Sequence, residues 1–191
     1  LSRLPKVLML SGDKGIGKFT LVYHFLTNHF DKNNYDLNEL KIDENSFFTK
    51  QFLNNIFPNI IYVRGSNLKI EEIRNLKTSI LKTSIVEKDR FVIFDDIELL
   101  NTSCCNALLK IIEEPSDNTY FILINNNKKV LDTLLSRCIN FKIFLTNQEC
   151  LEIANILLDK NLKELINEDL INYYSTPGNV YNLVKFGIEY K

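Results

Sequence analysis

The chain has 191 residues, enough for one ordinary domain or one domain with a small appendage. Hydrophobic residues make up 45% and charged residues 25%, the balance of a soluble globular protein. A net charge of -1 and the lack of an obvious basic stripe argue against a chain that grips DNA by itself, and no apolar run approaches the roughly eighteen residues of a membrane span.

The opening LSRLPKVLML is not a signal peptide, because its apolar stretch is short and leads straight into a glycine loop. A first residue of Leu1 instead of Met reads as a fragment or a trimmed chain. Val7 to Ser11 has the look of a buried strand. From Lys18 to about Phe30, Leu21, Val22, Phe25 and Leu26 recur at helical spacing. Residues 31 to 57 are rich in Asn, Asp and Lys and give no ordered pattern. Ile60 to Val63 reads as a second strand, followed by a helix with Ile70, Ile73, Leu76, Ile80 and Leu81 on one face. Phe91 to Phe94 is a third strand. The next helix runs from near Ser103 to Glu114, where Pro115 ends it. Tyr120 to Ile124 and Ile139 to Phe144 complete the strands.

Strands alternating with helices predict an α/β fold with a central parallel sheet covered on both faces. After Leu145 the pattern is purely helical. Thr146 and Glu149 have capping-box spacing, and Pro177-Gly178 is a turn before a last helix. A boundary near residue 146 is therefore expected, with residues 1–146 forming a P-loop domain and residues 147–191 a small helical lid.

Gly12-Asp13-Lys14-Gly15-Ile16-Gly17-Lys18 fits GxxxxGK between a strand and a helix. Gly12, Gly15, Ile16 and Gly17 would let backbone N–H groups curl around a phosphate, with Lys18 reaching the outer phosphates of ATP or ADP. The bland reading is a glycine turn with no function. The following position should carry a hydroxyl for Mg²⁺, yet it is Phe19. Thr20 is the nearest hydroxyl, turned about 100° around the helix and poorly aimed as a substitute. Nucleotide binding stays plausible while the Mg²⁺ site is impaired.

Asp95 and Asp96 close an apolar strand as a Walker B pair would. Asp95 would hold Mg²⁺ through water, and Asp96 stands where an active ATPase usually has a longer Glu. A solvated acidic turn is the alternative. The four cysteines form no CxxC pair, so neither zinc nor another metal site is expected, and His24 and His29 read as structural.

The stretch Asn106-Ala107-Leu108-Leu109-Lys110-Ile111-Ile112-Glu113-Glu114-Pro115, just after that acidic strand, resembles the bacterial clamp loaders, AAA+ machines that open the sliding clamp. Ser136-Arg137-Cys138 matches the SRC motif of those proteins. The GIGK loop with Thr20 beyond it and Ile70 to Leu76 further resemble the delta-prime subunit of DNA polymerase III. The resemblance implies that Arg137 acts in trans as an arginine finger on ATP held by a neighbouring subunit, though a plain surface Arg is the alternative. It implies a sensor amide at Asn126, or at Asn125 if the alignment slips by one. Where relatives carry a lid Arg, this chain has Asn179, and the cysteine insert of many relatives is missing between Phe30 and Pro58. The collar domain of the family is also missing from this stretch of sequence.

The resemblance thus implies a delta-prime-like stator in DNA replication, with delta and gamma/tau as partner subunits and the sliding clamp and primer–template DNA reached through the complex. It implies a cytoplasmic protein with weak or absent ATPase of its own and no polymerase active site. An active ATPase of the gamma/tau type and a non-catalytic scaffold module are the alternatives.

Overall fold

A computed structural model describes residues 4–66, 68–81, 89–165, 167–173 and 176–186 of the chain. In chain order come β1 (Val7–Ser11), α1 (Lys18–Phe30), β2 (Tyr35–Asp36), β3 (Lys41–Ile42), α2 (Phe47–Leu53), β4 (Ile60–Arg64) and α3 (Ile70–Leu81). Then follow β5 (Arg90–Asp95), α4 (Thr102–Ile112), β6 (Thr119–Asn125), α5 (Asp132–Leu135) and β7 (Ile139–Lys142). The last elements are α6 (Asn147–Leu158), α7 (Leu162–Leu165), α8 (Glu168–Tyr173) and α9 (Pro177–Phe186). Short 3-10 turns occupy Lys32–Asn34 and Ile97–Leu99.

Two compact units result, one of Leu1–Ser11 with Phe19–Phe141, the other of Gly12–Lys18 with Lys142–Lys191. The first is built on a parallel sheet of order β4-β5-β6-β1-β7. A β-strand shows alternate residues to alternate faces, and β5 uses both. Val92 and Phe94 join Ile73, Cys104, Leu108, Phe121 and Leu123 in the main core, under α3 and α4. Phe91 points the other way, its ring meeting Phe25, Phe30 and Tyr120 at 5.6, 5.7 and 5.3 Å. Burial on both faces explains why these strands read as unbroken apolar runs.

The Asn-rich stretch from 31 to 57 is ordered after all. It folds as the β2–β3 hairpin and α2, whose N-cap Ser46 accepts a hydrogen bond from the Thr49 backbone N–H. Phe52 stacks on Tyr23 at 4.8 Å, and Phe57 meets Phe30 at 4.9 Å, so aromatic contacts fasten the segment to α1. Its sequence signal is weak because few, widely spaced aromatics carry the packing. Another expectation needs trimming. The strand from Ile139 stops at Lys142 instead of running to Phe144, and its four residues are all exposed. It lies at the sheet edge beside β1 only, and Phe144 is 82% exposed.

His24 Nδ1 lies 3.2 Å from the Tyr35 hydroxyl, and His29 Nε2 lies 3.3 Å from an Asp89 carboxylate oxygen. All four cysteines are free thiols, and Cys104, Cys105 and Cys150 are buried. The second unit packs α6, α7, α8 and α9 around Ala154, Leu162, Ile171 and Val180. Its first helix opens on the capping box foreseen from Thr146 and Glu149. Bonds from the Thr146 backbone and side chain hold the Glu149 carboxyl below its ordinary value.

Phe121, 1% exposed in the middle of β6, fills the main core. Phe121→Ala is expected to cost about 3–5 kcal/mol of stability, read from the urea midpoint at unchanged slope.

Candidate functional site

The expected residues fall into three groups. The first is the glycine loop, which lies with the second unit. Gly15 and Gly17 have φ of 88° and 96°, a backbone region that only glycine enters without strain. A Cβ on Gly15 would also come within 2.6 Å of Thr176 Oγ1. That tight approach is part of a clasp: the Thr176 hydroxyl donates to the Lys14 carbonyl at 2.8 Å, and the Gly178 N–H donates to the Gly15 carbonyl at 2.9 Å. Asn179 completes it, its backbone N 3.1 Å from where a Gly15 Cβ would stand. Lys18 is 4% exposed and its ammonium donates to the Gly12 and Asp13 carbonyls at 2.7 and 2.8 Å. Two left-handed glycines and a lysine folded over the loop fit a phosphate group. Ile16 N–H bonds the Asp13 carbonyl at 3.4 Å and closes the turn, while Thr20 is exposed on α1.

The second group sits at the carboxyl end of β5, in the first unit. Asp95 is held from two sides: the Tyr62 hydroxyl donates to Oδ2 at 2.7 Å, and the Asp96 backbone N–H donates to Oδ1 at 3.0 Å. Asp96 is left-handed at φ 54°. The Asn126 amide donates to Asp96 Oδ1 at 2.6 Å and to Glu98 Oε1 at 2.9 Å, while the Asn126 backbone N–H reaches Glu98 Oε2 at 3.2 Å. Asn125 is spent on its own turn, bonded to the Lys128 carbonyl and N–H at 2.9 and 3.2 Å. Phe19, at the position of the missing hydroxyl, presents an aromatic ring to this group. Its ring stacks on Phe52 at 5.9 Å and meets Tyr62 edge-on at 5.5 Å.

The third group is Arg137, in the turn after α5. It does not project freely. Nε donates to Glu113 Oε1 at 3.0 Å, Nη2 lies 2.7 Å from the same oxygen, and Nη1 donates to the Thr133 carbonyl at 2.8 Å. The pair is at the surface, with the two side chains 37% and 46% exposed.

Tyr62, Glu98, Glu113 and Thr176 were not singled out from the sequence. Glu113 lies inside the NALLKxxEEP stretch, so its motif was visible although its partner was not. Tyr62 carried no local signal, since only pairing of β4 with β5 brings it near Asp95. Among the described residues no cluster of three or more His, Cys, Asp or Glu suited to a metal is present, and no helix is long and apolar enough to cross a membrane.

A family model described as DNA polymerase III, delta subunit, matches residues 2–146, and the chain belongs to that family. A DNA polymerase III subunit delta' of Buchnera aphidicola subsp. Baizongia pistaciae is 40% identical over 76 residues, 39% of this chain and 23% of that protein. A DNA polymerase III subunit gamma of Buchnera aphidicola subsp. Acyrthosiphon pisum is 31% identical over 105 residues, 54% of this chain and 28% of that protein. The chain thus spans about a quarter of these relatives' lengths. The crystal structure of a gamma subunit-related protein from Thermotoga maritima superposes with a TM-score of 0.59 at 17% identity, over 94% of this chain and 53% of that one. The fold is that of the P-loop AAA+ proteins.

Burial, and next the bond to Asp95, push the Tyr62 phenol up to about 12, against an opposing pull from Arg64. A folded-state value raised above 10.0 gives a contribution that is complete below pH 10.0 and is lost as the pH climbs toward about 12. Denaturant midpoints across that window are expected to fall less steeply in Tyr62→Phe than in the parent protein. Equal slopes would show that the phenol is not held as described.

Proposed function

We propose that the full-length protein is a clamp-loader subunit of the delta-prime type in the DNA polymerase III holoenzyme. In this reading it holds ATP or ADP weakly, turns it over poorly, and lends Arg137 to a nucleotide bound by a neighbouring subunit. Family membership supports the clamp-loader part. Relatives named delta' and relatives named gamma both match, so the choice between the two types rests on the chemistry of individual side chains.

The observation that carries the choice is the row Phe19, Tyr62, Asp95. A magnesium ion on a P-loop nucleotide wants the hydroxyl that follows the loop lysine and a carboxylate at the carboxyl end of another strand of the sheet. Here the first is an aromatic ring packed on Tyr62, and the second already accepts hydrogen bonds at both oxygens. The missing hydroxyl makes a poor site for the ion, while Asp95 keeps a further acceptor position on each oxygen for a metal-bound water. Asp96 is likewise engaged, by Asn126, where an efficient ATPase needs a group free to polarise water. The glycine loop and Lys18 by themselves still suit a phosphate.

Arg137 belongs to a different part of the job. An arginine that touches a partner's triphosphate must lie at the surface of its own chain, and Arg137 does. Its ion pair with Glu113 is partly exposed, so solvent weakens it and a polyphosphate can compete for the guanidinium. The partners in this reading are delta and gamma/tau, with the clamp and primer–template DNA met through the complex in the cytoplasm. Residues 1–146 would be the P-loop domain and 147–191 the lid.

Two measurements test the reading. Titrated with labelled ATP and ADP, the protein is expected to bind with the same affinity with and without Mg²⁺, and Lys18→Ala to bind more weakly. Turnover at or above about 1 s⁻¹, the lower edge of ordinary enzyme rates, would instead favour a gamma/tau-type ATPase. In an assembled loader, Arg137→Ala is expected to lower the partner's hydrolysis on the order of 10³-fold. An undiminished rate would remove the trans role.

A further inference from the structure

We infer that Glu113 is the positioning residue for Arg137, fixing the guanidinium before it meets the neighbouring subunit's nucleotide; this rests on the trans role proposed above. The two residues are far apart in sequence, and come together because α4 ends beside the turn that follows α5. Glu113 is the C-cap of α4, directly after its last turn. Its backbone N–H bonds the Leu109 carbonyl at 3.0 Å, so the carboxylate stands on rigid helix and not on a loop.

The contact has a defined geometry. A guanidinium offers five N–H donors in one plane. Nε and Nη2, on one side of the fork, converge on the single oxygen Oε1 at 3.0 and 2.7 Å. Nη1 is held separately by the Thr133 carbonyl at 2.8 Å, with the Ser136 hydroxyl at 3.4 Å. Contacts on two edges fix the plane of the group as well as its place. The second proton on Nη2 has no part in the Oε1 bond and stays available to an incoming oxygen.

What this gains is entropic. A long exposed arginine otherwise samples many rotamers, and ordering it at the moment of docking opposes both binding and reaction. Held in advance, it meets a γ-phosphate already oriented, and misplacement by about 1 Å is enough to cost on the order of 10²-fold in rate.

The test uses the full-length subunit assembled with its ATPase partners, with assembly checked by gel filtration. Glu113→Ala is expected to lower the partner's kcat on the order of tenfold to a hundredfold with KM for ATP unchanged. Glu113→Gln keeps an oxygen able to accept both N–H groups and should retain most of the rate. In an Arg137→Ala background, Glu113→Ala should add no further loss. Full activity in Glu113→Ala, a faster rate, or an additive loss on top of Arg137→Ala would each overturn the inference while leaving the trans role standing. No effect of Arg137→Ala itself would remove the trans role, and the inference with it.

Discussion

Parallel pairing in register is the constraint from which the site descends. Val63 lies opposite Phe94, Arg64 opposite Asp95, Phe94 opposite Leu123 and Ser11 opposite Asn125. Four strands therefore end at one edge of the sheet, and whatever follows them in the chain starts from that edge. Parallel strands need long crossovers, which supply α3 and α4 on one face and leave the loops at the carboxyl ends free for chemistry. Asp95, Asp96 and Asn126 are neighbours because β5 and β6 are, and Tyr62 reaches Asp95 because β4 is the next strand out. A slip of one residue in any pairing would turn each side chain to the other face.

At that edge the polar groups satisfy one another. Asp95 takes a phenol and a backbone N–H, while Asp96 and Glu98 share the Asn126 amide. Buried or half-buried carboxylates need such partners, since an unpaired one is costly to desolvate. The consequence is an acidic end whose carboxylates are tied to neighbouring side chains and backbone. Phe19 extends the same logic. Its ring joins the row of aromatics formed by Tyr62, Phe52 and Tyr23, so exchanging it for a small hydroxyl would remove packing as well as restore a ligand.

The other two groups are each held by contacts of their own. Lys18 remains at the head of α1, and Thr176 with the first residues of α9, which begins at Pro177 where a turn was expected, clasps the loop backbone at Lys14 and Gly15. Arg137 is presented at the surface with its charge matched by Glu113.

Much of this was legible in the amino-acid sequence, for a physical reason. Buried parallel strands must be apolar throughout, helices must show a 3.6-residue stripe, and phosphate loops must have glycine where φ is positive; each leaves a local trace. The strands at Val7, Ile60, Phe91 and Tyr120, the capping box at Thr146, and the loop from Gly12 to Lys18 were visible on those grounds. The sequence by itself also determined that Phe19 occupies the hydroxyl position. Only the tertiary structure decided what Phe19, Asp95 and Arg137 touch. Tyr62 and Asp95 are 33 residues apart, and Arg137 and Glu113 are 24 apart, so no periodicity links them. Their contacts depend on strand order and on where two helices end, which are set by how the whole core packs.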